Sequence, residues 1–136
     1  MTFLLDTNVI SELRRKRPDA GVVSWIRHAD PARLFISVLS LGEIAKGAAQ
    51  CAVRDRAQAA VYEEWLVWVR SNYAEQTITI DPAIAEAWGR LAARRPRPVI
   101  DGLLAATALV RGMTLVTRNV RDMVDAGISV LNPWRE

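Results

Sequence analysis

The feature that most constrains this sequence is an alternation. Five short apolar runs rich in β-branched residues, at positions 2–5, 34–37, 77–80, 114–117 and 129–131, are separated by longer stretches of helical character. The helical stretches fall at 8–14, 20–28, 38–49, 54–72, 82–94 and 99–111. Asp81-Pro82 supplies a cap followed by a first-turn proline, and Arg111-Gly112 supplies a cationic last turn followed by a terminating glycine. Strands joined by crossover helices lie parallel and are covered on both faces, so the pattern predicts a three-layer α/β/α fold with a mostly parallel sheet of about five strands. The 136 residues, 51% of them hydrophobic, suffice for one core, and no repeat, low-complexity tract or Gly/Ser linker divides them. A single domain over residues 1–136 is expected. In such sheets ligands bind beyond the carboxyl ends of the strands, near the point where strand order reverses, and functional residues are sought there.

What the chain lacks narrows the chemistry. It has one cysteine, Cys51, and one histidine, His28. Neither an internal disulfide nor a zinc site of four cysteines, or of two cysteines and two histidines, can be built from them. Nor can a ribonuclease that uses two histidines as general acid and base, which leaves hydrolysis to carboxylates, a metal ion, or both. His28, Cys51, Trp25 and Trp88 read as packing residues. The net charge of +3 is carried by 16 Arg and 2 Lys. Arginine forks suit a polyanion, although the excess over acids is small and a GC-rich genome also favours Arg codons. No apolar run approaches the roughly 18–20 residues that span a bilayer. The amino terminus has no basic segment and meets an acid at Asp6, which predicts a cytoplasmic protein without a membrane anchor.

Three acids stand where the topology rule directs attention. Asp6 ends the first apolar run and precedes Thr7-Asn8, so it is either a site residue or the N-cap of the first helix. Glu43 follows the second run among Leu39, Leu41, Ile44 and Ala45, where a buried carboxylate needs a partner unless the helix register turns it to solvent. Gly42 beside it hints at a close approach. Asp101 opens the helix before the fourth run, on a stripe with Ala105 and Ala108, and is either a site residue or a first-turn dipole partner. After the fourth run come Thr117, Asn119 and Asp122. A parallel sheet would bring these groups to one rim, where carboxylates repel unless a cation joins them. Oxygen donors alone favour Mg²⁺ or Mn²⁺, ions suited to phosphate substrates. Arg14-Arg15-Lys16-Arg17, Arg94-Arg95 with Arg97, and Arg118 with Arg121 are then candidate contacts to a phosphate backbone, or else solvated faces.

These residues, in this order, resemble the PIN-domain ribonucleases, especially the VapC-like toxins of bacterial toxin–antitoxin pairs. The likeness is carried by Phe3-Leu4-Leu5-Asp6-Thr7-Asn8-Val9-Ile10-Ser11-Glu12-Leu13, by Ile36-Ser37-Val38 with Leu41-Gly42-Glu43-Ile44, and by Val99-Ile100-Asp101-Gly102-Leu103-Leu104-Ala105-Ala106-Thr107-Ala108. It continues through Val116-Thr117-Arg118-Asn119-Val120-Arg121-Asp122 to the ending Leu131-Asn132-Pro133-Trp134. The resemblance implies a Rossmann-like PIN fold and a Mg²⁺- or Mn²⁺-dependent endoribonuclease whose metal ligands are Asp6, Glu43 and Asp101. Asn119 occupies a fourth catalytic position where many such domains have Asp; Asp122 is a candidate to compensate, and Thr7 and Thr117 match supporting hydroxyl residues. It further implies an RNA substrate, a homodimer, and a cognate antitoxin that covers the active site in a hetero-oligomer. In the stretch 54–72, Val61, Trp65 and Trp68 on one stripe and Tyr62, Leu66 and Val69 on another give an apolar face that fits a partner or, equally, the domain's own core.

Two other functions remain open at this stage. A catalytically weak PIN domain could serve as an RNA-binding or protein-interaction module, a reading that Asn119 keeps alive. A phosphotransfer domain with Asp6 as nucleophile is the weaker choice, because position 8 is Asn and no phosphate loop is evident.

Overall fold

The computed structural model describes residues 1–135 and contains the expected alternation. The strands are β1 (Phe3–Leu5), β2 (Leu34–Ser37), β3 (Thr77–Ile78), β4 (Thr114–Val116) and β5 (Val130–Leu131). The helices are α1 (Thr7–Leu13), α2 (Ala20–His28), α3 (Val38–Ala52), α4 (Arg56–Asn72), α5 (Pro82–Arg94) and α6 (Val99–Arg111), with short 3-10 turns at Pro31–Arg33 and Val120–Asp122. The strands form one sheet in the order β3-β2-β1-β4-β5, and every pairing is parallel, where the sequence had suggested only a mostly parallel sheet.

Alternate residues of each strand enter opposite cores. Leu4 and Leu115 pack with Ile84, Ala87 and Leu91 of α5 and with Leu104, Ala105 and Ala108 of α6. Their neighbours Leu5, Ile36 and Val116 face Val9 and Ile10 of α1, Val22 of α2, Ile44 of α3, Val69 of α4 and Trp134. This two-sided burial is why the strands read as continuous apolar runs and not as alternating ones. Each fully buried Leu, Ile or Val side chain contributes about 1.5–3 kcal/mol by leaving water.

The punctuation works as its chemistry suggests. Asp81 Oδ1 accepts from the Ile84 N–H at 2.9 Å, and Gly112 closes α6 in the left-handed region at φ 64°. Asp55, whose side chain accepts from the Gln58 N–H, moves the start of α4 to Arg56, two residues later than the periodicity implied. Close backbone approach is required at Gly102, where a Cβ would lie 3.0 Å from Trp88 Cδ1, and not at Gly42, where a Cβ would meet nothing within 4 Å. The expectation for Gly42 is therefore overturned.

Of the four residues read as packing residues, Trp25 meets Phe3 edge-on at 5.0 Å, Trp88 braces Gly102, and Cys51 is buried. His28 differs: it is exposed, with Nδ1 2.7 Å from the Ser24 carbonyl oxygen one turn earlier. No described helix is long and apolar enough to cross a membrane.

Candidate active site

Strand order reverses at β1, which has β2 on one side and β4 on the other. The cleft at the carboxyl ends of these strands has a volume of about 640 Å³, and Asp6, Glu43, Asp101 and Asn119 all line it. Four residues from four separate stretches of sequence are thus brought to one place.

Asp6 sits directly after β1 and is only 6% exposed. It occupies the N-cap position of α1, yet its side chain makes no capping hydrogen bond. Instead Thr117 Oγ1 donates to Asp6 Oδ2 at 2.7 Å, across the junction of β1 and β4. The same hydroxyl oxygen accepts from the Asn119 N–H at 3.0 Å and from Asn8 Nδ2 at 3.4 Å. Burial pushes the Asp6 carboxyl above its ordinary value, against the pull of Thr117 and of the nearby Asn8 and Thr7 N–H groups, and the neighbouring Glu43 pushes it further up.

Glu43 is held by hydroxyl groups. Thr7 Oγ1 donates to Glu43 Oε1 at 2.6 Å and lies 2.7 Å from Ser40 Oγ. A threonine hydroxyl has one proton, so with that proton on Glu43 the Ser40 hydroxyl must donate to Thr7. Ser40, three residues before Glu43 and on the same side of α3, is fully buried and completes a chain that the sequence reading missed. The i, i+3 spacing was the only signal that could have revealed it.

Asp101 stands in the first turn of α6, half-buried, and accepts at Oδ2 from Asn119 Nδ2 at 3.3 Å. Its carboxyl is raised first by burial, then by the charges of Asp6, Asp122 and Glu43, against the pull of Arg97. Among the described residues no Lys, Arg or His lies within 4.0 Å of the carboxylates of Asp6, Glu43 or Asp101. Three acids that repel one another, with oxygen donors alone and no protein cation in direct contact among the described residues, suit a hard divalent ion. Among the described residues no three His, Cys, Asp or Glu side chains close into a coordination shell by themselves. An ion here would complete its shell with water or substrate oxygens, as Mg²⁺ commonly does.

Asp122 does not take the compensating position. Its carboxylate lies 3.8 Å from Arg95 Nη2, its carbonyl oxygen accepts from Arg97 Nη1 at 3.5 Å, and it is absent from the cleft lining. Two further expectations change with it. Arg97, its side chain 2% exposed, is clamped to Asp125 at 3.2 Å, and Arg95 pairs with Asp122 and Asp125, so both hold the segment after β4 instead of facing the cleft. Arg14, Arg15 and Arg118 do line the cleft.

A parallel sheet in this strand order defines an α/β protein in which carboxylates from separate strands and helices meet in one cleft at the reversal point. The PIN domain matches residues 3–126, and the chain belongs to that family. It is 32% identical over 137 residues to the plasmid stability protein StbB of Pseudomonas syringae pv. tomato, covering 97% of this chain and 98% of that one. It is 31% identical to the VapC ribonuclease Y4jK of Sinorhizobium fredii, covering 97% of both. Toxin FitB of Neisseria gonorrhoeae is 26% identical over 98% of this chain and 99% of its own length. The crystal structure of FitAcB from that organism superimposes with a TM-score of 0.89 at 27% identity, over 99% of this chain and 100% of that one.

Proposed function

We propose that this protein is a Mg²⁺- or Mn²⁺-dependent endoribonuclease that acts as the toxin of a toxin–antitoxin pair. The observation that carries the reading is the convergence of Asp6, Glu43 and Asp101 in one cleft where, among the described residues, no Lys, Arg or His lies within 4.0 Å of their carboxylates. The ribonuclease and toxin names of two full-length relatives support the substrate and the biological role.

Asp6, Glu43 and Asp101 would hold the ion. A divalent ion bound there would supply charge to polarise the scissile phosphate and acidify a water for in-line attack on phosphorus, the P–O3′ bond breaking to give a 5′-phosphate and a protonated 3′-hydroxyl. The chain's own work is positional. Thr117 fixes one oxygen of Asp6, the Ser40–Thr7 chain fixes one oxygen of Glu43, and Asn119 fixes one oxygen of Asp101. These bonds hold the three acids in place before a ligand arrives. Asn119 donates a hydrogen bond where an Asp would add a fourth repelling charge, which favours one ion over two.

The partners in this reading are RNA, a second copy of the chain, and an antitoxin that covers the cleft. Val61, Val67 and Trp68 of α4 are exposed, and an apolar helix face of this kind is available to a protein partner.

The test is cleavage of single-stranded RNA by the purified protein with Mg²⁺ or Mn²⁺, with EDTA, and with Asp6→Asn. Metal-dependent cleavage lost in the variant is the expected result. RNA binding that ignores EDTA, without cleavage, would instead identify a binding module.

A further inference from the structure

We propose that Arg14 is a pre-positioned phosphate fork for the RNA backbone, held in place by the aromatic rings of Tyr62 and Trp65. The proposal rests on the reading of the chain as an RNA-binding nuclease and names a residue of the substrate path that lies outside the acidic rim.

Arg14 follows α1 directly and lines the same cleft as Asp6 and Asp101. Tyr62 and Trp65, three residues apart on α4, share one helix face and also line the cleft. The Arg14 guanidinium carbon lies 4.7 Å from the centre of the Tyr62 ring and 4.8 Å from that of Trp65, and the two rings are 6.1 Å apart. One cation therefore touches two π faces, each an attraction that strengthens as water is excluded.

The environment makes this arrangement unusual. Carboxylates abound in the cleft, and the adjacent Arg15 takes one of them, Glu12, at 3.4 Å. Among the described residues the Arg14 side chain has no carboxylate within 4.0 Å and no hydrogen bond. Ring contacts hold its position and leave its N–H donors unused. Guanidinium donors match the paired oxygens of a phosphodiester, and a side chain already ordered loses little entropy on binding one. A lysine would keep the charge and lose both the fork and much of the ring contact. The ligand is accordingly a backbone phosphate of RNA near the one that is cut.

The ring pair acts through Arg14, so Tyr62 and Trp65 are positioning residues. Their effect separates from that of charge by salt dependence. Each phosphate contact on a single strand contributes roughly 0.7 to the slope of log affinity against log salt.

The experiment measures binding of a fluorescent single-stranded RNA oligomer in EDTA across a salt series, and single-turnover cleavage with Mg²⁺. The proteins are the parent, Arg14→Gln, Arg14→Lys, the pair Tyr62→Leu with Trp65→Leu, and Arg90→Gln. Thermal melting confirms that each is folded, and Arg14→Lys, which leaves the α4 rings in place, keeps the test decisive if the double variant is not. Arg14→Gln is expected to bind roughly tenfold more weakly, a change of about one charged hydrogen bond. Its salt slope should be shallower by about 0.7. Arg14→Lys and the ring variant should keep the slope and lose affinity and cleavage. Arg90→Gln, which removes an exposed charge paired with Glu86 on α5, should bind like the parent.

An unchanged salt slope in Arg14→Gln overturns the proposal. So does an effect of Arg14 confined to binding of a protein partner, and so does a parent that binds no RNA. A parent that binds RNA through Arg14 but never cuts it overturns the nuclease reading and leaves the phosphate fork standing.

Discussion

Asp6 and Asp125 both belong to segments that follow parallel strands of the same sheet, and their circumstances are opposite. Asp6 is buried beside Glu43, with no cation within 4.0 Å among the described residues and its carboxyl pushed upward. Asp125 is half exposed and gripped by Arg95 at 3.5 Å and Arg97 at 3.2 Å. The second arrangement is what stability alone favours, since a charge near the interior is tolerated when paired. The first is costly unless hydrogen bonds, a proton or a ligand offset the charge, which makes imbalance, and not acidity, the mark of a candidate site.

The sharpest way to break the contrast is to neutralise the unbalanced set. Asp101→Asn should lower Mg²⁺-dependent RNA cleavage by about a thousandfold, several kcal/mol of transition-state stabilisation. Without metal the same variant should melt about 2–4 °C higher than the parent, because a repelling charge is gone. Calorimetry with and without Mg²⁺ checks both directions; an Asp101→Asn protein that Mg²⁺ still stabilises as much as the parent contradicts the assignment.

Removing the cation from the balanced set has the reverse sign. Arg97→Met frees Asp125 and the Asp122 carbonyl oxygen and releases the segment after β4. It should cost about 2 kcal/mol, read as a melting point lower by about 6 °C. Cleavage should fall far less than in Asp101→Asn.

The contrast also has a pH signature. The carboxyls of Asp6 and Asp101 lie above the ordinary Asp value of 3.8, so the folded state without metal binds protons more readily than the unfolded chain. Their ionisation therefore removes stability as pH rises from about 3.8 through the raised values, and metal affinity weakens as pH falls through the same window. Mn²⁺ titrations should show affinity dropping up to about tenfold per pH unit below the raised value for each proton displaced. Affinity that is flat down to pH 4 would remove burial and mutual repulsion as the governing forces.

The smallest effect is expected from Arg95→Gln. Its partners lie 3.5–3.8 Å away on a solvated surface, so the change should stay within about 0.5 kcal/mol in a denaturant titration.

Much of this is legible in the sequence. Residues 3–5 and 114–116 had to be strands because runs so apolar and so short can be buried on two faces only in a covered parallel sheet. Asp6 was placed by position, since the residue after a central strand lies at the carboxyl rim of the sheet. What the sequence left open was the orientation of side chains one helical turn long. Asp6 could have capped α1, and it is Thr117, 111 residues away, that claims its oxygen instead. Thr7 was matched to a supporting hydroxyl by resemblance alone, and Ser40 looked like an ordinary small polar residue until α1 and α3 met.

The arginines show the same division. Their number and their clustering near 14–17, 94–97 and 118–121 are plain in the chain. Which of them faces a ligand is not, because a long side chain goes to whichever opposite charge or ring lies within reach. Arg97 found Asp125, Arg95 found Asp122 and Asp125, and Arg14 found two rings of α4.

The sequence by itself determined the layers, the strand ends and the candidate acids, because periodicity and turn chemistry act over a few neighbouring residues. The tertiary structure alone decided which charges are paired and which are left without a partner. Electrostatic balance depends on distances of a few ångströms between groups up to a hundred residues apart, and only the folded chain sets them.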